Sequence, residues 1–192
     1  MIRVIVGLGN PGRDYEKTRH NAGFIFLGHL AESEGVKWSH AGQFSAEIAD
    51  IVVGHEKLIL LKPMTFMNKS GISVGRLLSY YKFKPEEMLV VHDELELPEG
   101  VARIKSGGGH AGHNGLRDII AHIGTNDFLR LRIGIGRPDS GANVADYVLS
   151  KPSNQALRDI EYICASIVSE LDCLVMGDID AININPGREN IN

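Results

Sequence analysis

Apolar residues along this chain form two kinds of pattern, short runs and helical stripes, which alternate with each other. The short runs, which predict buried strands, lie at residues 2–6, 88–91 and 101–104. Two further runs, 44–53 and 57–61, surround Gly54-His55-Glu56 and predict a hairpin. Between residues 129 and 135, leucine and isoleucine alternate with arginine and glycine, which predicts a half-exposed strand.

The helical stripes place apolar residues three or four positions apart between the predicted strands. They are Phe24, Leu27 and Leu30; Ile72, Val74, Leu77, Leu78 and Tyr81; Leu116, Ile119, Ile120 and Ile123; and Leu157, Ile160, Cys164, Ile167, Leu171 and Leu174. Asn21 and Asn68 precede the first two stripes and are expected to cap those helices, because asparagine accepts hydrogen bonds from a first helical turn. The third helix is expected to open right after Asn114.

This order of elements predicts the α/β fold class. A hairpin interrupts the alternation of strands and helices, so we expect a mixed, twisted sheet flanked by helices. With 192 residues, 43% of them hydrophobic, the chain has the size of one well-cored domain. We therefore expect a single domain over residues 1–192, in which the asparagine-rich segment 178–192 forms a loose tail.

Composition narrows the possible partners and the compartment. No run of about 18 apolar residues occurs, so no membrane partner is expected. Only Cys164 and Cys173 are present as cysteines, and their spacing suits neither a zinc knuckle nor a redox pair, so a reducing cytoplasm is expected.

The net charge of −4 argues against a protein that coats nucleic acid through bulk electrostatics. Six basic residues nevertheless cluster in one segment: Arg103, Lys105, Arg117, Arg130, Arg132 and Arg137. A solvated basic face and a local contact with phosphate explain this cluster equally well.

Two His-Asn pairs are the clearest candidates for chemistry. His20-Asn21 lies between two predicted elements, and His113-Asn114 ends the glycine-rich run 107–115. Histidine changes its charge near neutral pH, asparagine offers a neutral donor and acceptor, and glycine permits close approach of the backbone to a ligand. The second run has too few side chains to build a core, which favours a loop that contacts a ligand.

Several common kinds of site are poorly supported. The run 7–12 has the dinucleotide pattern G-x-G-x-x-G, but the helical pattern begins only near Asn21, so a turn that places Asn10 at the sheet edge is favoured. His110 and His113 lack a second cluster of metal ligands, and no serine-elbow motif is present.

The remaining polar set contains one histidine, one carboxylate and four amides. They are His20, Asp93, Asn10, Asn21, Asn68 and Asn114. A histidine oriented by a carboxylate is the minimal apparatus for removing a proton from water. Neutral amides can hold a carbonyl oxygen and stabilise the charge that develops on it. For each residue alone, a role in a loop or a cap is the simpler interpretation, and the set together favours catalysis.

The same segments resemble those of a known family. YEKTRHNAG (15–23) and GHAGHNGLRDI (109–119) look like the two signature segments of bacterial peptidyl-tRNA hydrolases. VGLGNPG (6–12), KPMTFMN (62–68), HDEL (92–95) and RLRIGIG (130–136) match further blocks of that family in the same order.

This resemblance implies an enzyme that cleaves the ester between a peptide and the 3′-terminal ribose of tRNA, thereby recycling tRNA from prematurely released peptidyl-tRNA. It also implies a monomer without metal or cofactor. By position, His20 would be the general base for water, Asp93 would orient it, and Asn10 would help to position the substrate. The resemblance assigns substrate binding to Asn68 and Asn114, the cleft lining to Tyr15, Phe66, Met67 and His113, and contacts with tRNA phosphates to Lys105 and Arg132.

Two other hypotheses remain open from the sequence. One is an RNA-binding relative that has lost its chemistry, against which the presence of His20 and Asp93 argues. The other is a dinucleotide-dependent enzyme, which the weak glycine pattern of residues 7–12 alone supports.

Overall fold

Seven strands form one mixed sheet within residues 1–177, the part of the chain that this computed structural model describes. The strands are β1 (Val4–Gly7), β2 (Ser39–Ala41), β3 (Ala46–Val53), β4 (Glu56–Pro63), β5 (Met88–Glu94), β6 (Ala102–Ser106) and β7 (Leu129–Gly134). Their order across the sheet is β2-β3-β4-β1-β5-β7-β6. The four consecutive strands β4, β1, β5 and β7 are parallel, whereas β2, β3 and β6 are antiparallel to their neighbours. The predicted mixed α/β fold is therefore confirmed.

Helices cover both faces of the sheet. They are α1 (Ala22–Ser33), α2 (Ser70–Tyr81), α3 (Asn114–Ile123), α4 (Val144–Val148), α5 (Asn154–Ser169) and α6 (Leu171–Met176). One apolar core joins the sheet to α1, α5 and α6, and a second core joins its other face to α2 and α3. Because helices lie on both sides, every residue of β1 and β5 is buried, which explains why these strands have nearly continuous apolar runs.

The register of β5 brings its last residues to one edge of the sheet. β1 ends at Gly7, which pairs with Val91, and β5 continues through Glu94. The sequence predicted that β5 ends at Val91, and the structure extends it because His92, Asp93 and Glu94 pair with β7. These side chains therefore stand on a regular strand, next to the turns that follow β1 and β4.

Neither of the two predicted asparagine caps makes its capping hydrogen bond, although Asn21 does occupy the N-cap position of α1. Asn21 and Asn68 each lie inside a short 3₁₀ turn that precedes the helix, Arg19–Asn21 before α1 and Met67–Lys69 before α2. Neither helix start has a side-chain cap. Since these residues are already within a helical turn, their amides are available for other partners.

Two other predictions need correction, and two short elements were not predicted. The strand at 129–135 is not half-exposed, because β7 lies between β5 and β6 and Arg130 is only 3% exposed. The long stripe that begins at Leu157 is interrupted at Glu170, so it forms α5 and α6. The strand β2 and the helix α4, with three and five residues, are too short to show a period in the sequence.

No α-helix between residues 1 and 177 combines the length and hydropathy that crossing a bilayer requires. The segment 178–192, for which a loose tail was predicted, lies outside the described residues.

Candidate active site

A cleft of about 810 Å³ lies at the carboxyl edge of the parallel strands. Its walls come from the end of β5, the turn before α2, the glycine-rich loop before α3, and the short helix α4. This is the edge at which open α/β sheets place their ligands, because the connections after parallel strands meet there. All but one of the residues to which the family resemblance assigns a role line this cleft: Asn10, His20, Phe66, Met67, Asn68, Asp93, Lys105, His113, Asn114 and Arg132.

The centre of the cleft is the pair His20 and Asp93. Nδ1 of His20 lies 2.9 Å from Oδ1 of Asp93, and both residues are buried. An ionised carboxylate only accepts hydrogen bonds, so Nδ1 of His20 carries the hydrogen and donates it, which leaves Nε2 with a free lone pair. Burial opposes a charge on His20, but the adjacent Asp93 carboxylate and its hydrogen bond outweigh burial and raise the His20 pKa above 6.5. The ring is therefore oriented as a base.

Asp93 is held by a second imidazole. Nε2 of His113 lies 3.0 Å from the same Oδ1 atom that binds His20. Burial of Asp93 favours its neutral form, yet the charges of His20 and His113 and their hydrogen bonds lower the pKa of Asp93 far below its usual range. The carboxylate therefore stays ionised over the pH range in which the neutral His20 ring can act as a base.

Asn10 and Asn21 lock the turn after β1 to the cleft. The backbone N–H of Asn10 donates to Oδ1 of Asn21, and Nδ2 of Asn21 donates back to the Asn10 carbonyl, each at 2.9 Å. The backbone N–H of Met67 donates to Oδ1 of Asn10 at 2.7 Å. Since the Asn10 oxygen is engaged in this way, its Nδ2 group is the part of the amide that remains as a donor for a ligand in the cleft, which Asn10 lines.

The remaining amides and aromatic residues form the rim. Asn68 lines the cleft from the 3₁₀ turn before α2, and Asn114 lines it as the first residue of α3, where Arg117 donates to its Oδ1. Phe66 is 57% exposed and lies edge-to-face against Tyr15, with 6.4 Å between ring centroids. Tyr15 is the exception among the candidates, because it reaches the cleft only through Phe66.

Basic residues lie at one end of the cleft. Lys105 on β6 and Arg132 on β7 both line it, and Nε of Arg132 donates to Oε2 of Glu94 at 2.8 Å. The buried Arg130 turns inward instead and donates to the carbonyls of Gly108 and Gly109, the latter at 2.6 Å. Arg130 thus holds the glycine-rich loop rather than facing solvent.

Sequence reasoning missed several residues of this cleft. Glu94 appeared only within the family block 92–95, and Arg130 only in a predicted strand and in the charge cluster. The helix α4, which includes Val144 and Val148, and the following Leu149 were not recognised. Alternation of arginine with leucine was the available signal for Arg130, but it does not reveal which face of β7 is covered.

The cleft also contains a group that could ligate a metal. Ligand atoms of His20, Asp93 and His113 all lie within 4.8 Å of one another. Hydrogen bonds from both imidazoles to one carboxylate oxygen account for this cluster without an ion.

A dinucleotide does not fit the turn after β1, because Gly12 has a φ of +108° and α1 begins only at Ala22, so no helix start follows the glycine pattern.

Comparison with known proteins identifies relatives along most of the chain. The family model for peptidyl-tRNA hydrolase matches residues 4–189. The peptidyl-tRNA hydrolase of Methylococcus capsulatus is 51% identical over 174 residues, which are 91% of this chain and 91% of that protein. The protein of the same name from Neisseria meningitidis serogroup B is 48% identical over 92% of each chain. The crystal structure of peptidyl-tRNA hydrolase from Acinetobacter baumannii is similar, with a TM-score of 0.89, 43% identity, and coverage of 94% of this chain and 91% of that one.

Proposed function

The chain belongs to the peptidyl-tRNA hydrolase family, and we propose that it hydrolyses the ester between a peptide and the 3′-terminal ribose of tRNA with His20 as the general base. The observation that carries this proposal is the 2.9 Å contact between His20 Nδ1 and Asp93 Oδ1 inside the cleft. By recycling tRNA from prematurely released peptidyl-tRNA, the enzyme would return both the tRNA and the peptide to the free state.

The reaction needs one proton acceptor and one site for negative charge. Nε2 of His20 takes a proton from water while the water oxygen attacks the ester carbonyl carbon. The carbonyl oxygen then carries the negative charge of a tetrahedral intermediate. When this intermediate collapses, the bond to the ribose oxygen breaks, and the His20 imidazolium returns its proton to that oxygen. Asp93 orients the ring and stabilises its positive charge throughout.

Amide groups are suited to hold the reacting ester. Nδ2 of Asn10 remains as a donor in the cleft because its oxygen is bound to Met67, and Asn68 and Asn114 also line the cleft. Donors that are fixed before reaction typically contribute about 10²–10³ in rate. Phe66 and Met67 offer apolar contact that does not depend on one peptide sequence, with Tyr15 supporting Phe66.

Local basic residues are suited to hold the tRNA. The net charge of −4 provides no general attraction for nucleic acid, so Lys105 and Arg132 at the end of the cleft would contact phosphates near the acceptor end. Since RNA helices are recognised mainly through backbone and shape, two such contacts suit an enzyme that must accept many tRNAs.

The wider context of the proposal is a cytoplasmic monomer that forms one domain. Free Cys164 and Cys173 and a substrate made by the translation apparatus support a cytoplasmic location. A family match that spans residues 4–189 supports a single domain.

The test is turnover of an N-acetylated aminoacyl-tRNA by the purified chain, compared with the same aminoacyl-tRNA carrying a free amino group. We expect release of the tRNA from the blocked substrate only, at the same rate with and without a chelator, because His20 and Asp93 activate water without a metal. Binding of the blocked substrate without turnover would instead identify an RNA-binding relative, and the proposal would be wrong.

A further inference from the structure

We propose that His113 is a positioning residue, which holds Asp93 with one ring nitrogen and the first turn of α3 with the other, and that it binds no substrate through either nitrogen. This inference rests on the proposed role of His20 as the base. It differs from the assignment that the resemblance gives to His113, which is that of a lining residue for substrate.

Both ring nitrogens of His113 are already engaged. Its Nε2 lies 3.0 Å from Asp93 Oδ1, and its Nδ1 accepts the backbone N–H of Leu116 at 3.3 Å. A neutral imidazole has one donor and one acceptor, and this arrangement uses both with a single consistent tautomer. The side chain of His113 is therefore the N-cap of α3 and a donor to the catalytic carboxylate at the same time.

The rings around His113 leave it little freedom to turn towards a substrate. Its ring centroid lies 4.9 Å from that of His20 and 5.0 Å from that of His92. His92 is itself fixed, because its Nδ1 donates to the Asp93 carbonyl at 2.7 Å. Burial and the nearby His113 lower the pKa of His92 to about 3, so the His92 ring stays neutral.

The shared acceptor gives His113 an influence on the base. Oδ1 of Asp93 receives hydrogen bonds from both His20 and His113. The hydrogen bond that His113 donates to the Asp93 carboxylate weakens the attraction of this carboxylate for a proton on His20. Loss of the His113 hydrogen bond therefore strengthens that attraction. The charged or titratable groups in this cluster are Asp93 and His92 on β5, His113 before α3, and Arg130 on β7, which acts on His92.

Two substitutions of His113 test the contacts of its two ring nitrogens separately. In His113→Asn the amide replaces the Nδ1 side of the ring, so its oxygen can still cap Leu116 while no donor reaches Asp93. In His113→Gln the longer amide can still donate to Asp93, while the cap on α3 is lost. The two variants are therefore matched in chemistry and differ in which contact they retain.

The measurement is the titration of the His20 ring by NMR in the free protein, which does not depend on turnover. We expect the His20 midpoint in His113→Asn to move upwards by roughly half a pH unit or more, and to stay near the wild-type value in His113→Gln. Thermal unfolding should show the reverse order, with the larger loss of stability in His113→Gln because the cap is absent.

Equal His20 midpoints in wild type and His113→Asn would overturn the proposal. So would a His113→Asn variant whose only kinetic defect is a raised KM, because that pattern indicates a lost substrate contact. If wild-type protein fails to hydrolyse a blocked aminoacyl-tRNA, the proposed function fails, but the NMR titration still decides whether His113 acts through Asp93.

Discussion

Nδ1 of His20 and Oδ1 of Asp93 lie 2.9 Å apart although 73 residues separate them in the chain. The sheet creates this contact: β5 continues beyond the last residue that pairs with β1, and the chain after β1 returns through the 3₁₀ turn that contains His20. The contact fixes the tautomer of His20 and raises its pKa, which are the two properties a general base for water needs.

The pH dependence of kcat/KM should report this contact. Burial disfavours the charged ring, but Asp93 raises the His20 pKa above 6.5, and only the neutral ring is a base. Activity should therefore be lost as the pH falls through a midpoint above 6.5 in the wild type. In Asp93→Asn the carboxylate charge that raises the His20 pKa is absent, while the burial that lowers this pKa remains. The midpoint of the pH profile should therefore move to lower pH, and the maximal rate should fall about 10²-fold or more.

The control is Asp50→Asn, which changes an exposed aspartate on β3. An unchanged midpoint in Asp93→Asn would contradict the role assigned to Asp93.

Asn10 and Asn21 should separate catalysis from stability. Asn10→Ala leaves the buried N–H of Met67 without its acceptor, and Asn21→Ala removes two hydrogen bonds to the Asn10 backbone. Each should lower the free energy of unfolding by about 1–3 kcal/mol, measured by urea denaturation. Turnover should fall about 10²–10³-fold in Asn10→Ala, which loses the donor in the cleft, and less than about 10-fold in Asn21→Ala. Equal losses of turnover would mean that Asn10 acts only by supporting the fold.

Two glycines of α1 should respond to alanine in opposite directions. A Cβ on Gly23 would lie 2.3 Å from the Leu8 nitrogen and 2.4 Å from the Val91 oxygen, so α1 would have to move away from β1 and β5. We expect Gly23→Ala to cost about 1–3 kcal/mol or more and to reduce turnover, because His20 precedes this contact. A Cβ on Gly28 would meet nothing nearer than Lys62 Nζ at 3.9 Å, so Gly28→Ala should stabilise the protein by up to about 1 kcal/mol. A similar Tm for both variants would contradict this packing.

Much of the fold could be predicted from periodicity. The longer strands, the hairpin and the main helices follow apolar patterns, and the interruption of strand–helix alternation by the hairpin correctly indicated a mixed sheet. The exposure of Arg130 could not be predicted, because it depends on which strand lies beside β7 and on the loop carbonyls that it binds. β2 and α4 were missed because three and five residues do not display a period.

The candidate site was predictable as a set of residues but not as a network. Asp93 follows the predicted strand 88–91, and the rule that ligands bind where parallel strands end places it at the correct edge; the family resemblance then assigned the base to His20. The paired bonds of Asn10 and Asn21 and the double engagement of His113 depend on contacts between distant segments. Helical propensity alone suggested caps at Asn21 and Asn68, and tertiary contacts overrode it.

The most direct test of the whole account is the rate at which His20→Ala hydrolyses an N-acetylated aminoacyl-tRNA, with its affinity for the same tRNA measured in parallel. We expect kcat/KM to fall about 10²–10⁴-fold or more while tRNA affinity stays within a few-fold of wild type, since the variant lacks only the base. The control is His55→Ala, which removes an exposed histidine from the β3–β4 turn and should retain wild-type turnover. Turnover by His20→Ala at the wild-type rate would contradict the claim that this imidazole activates the attacking water.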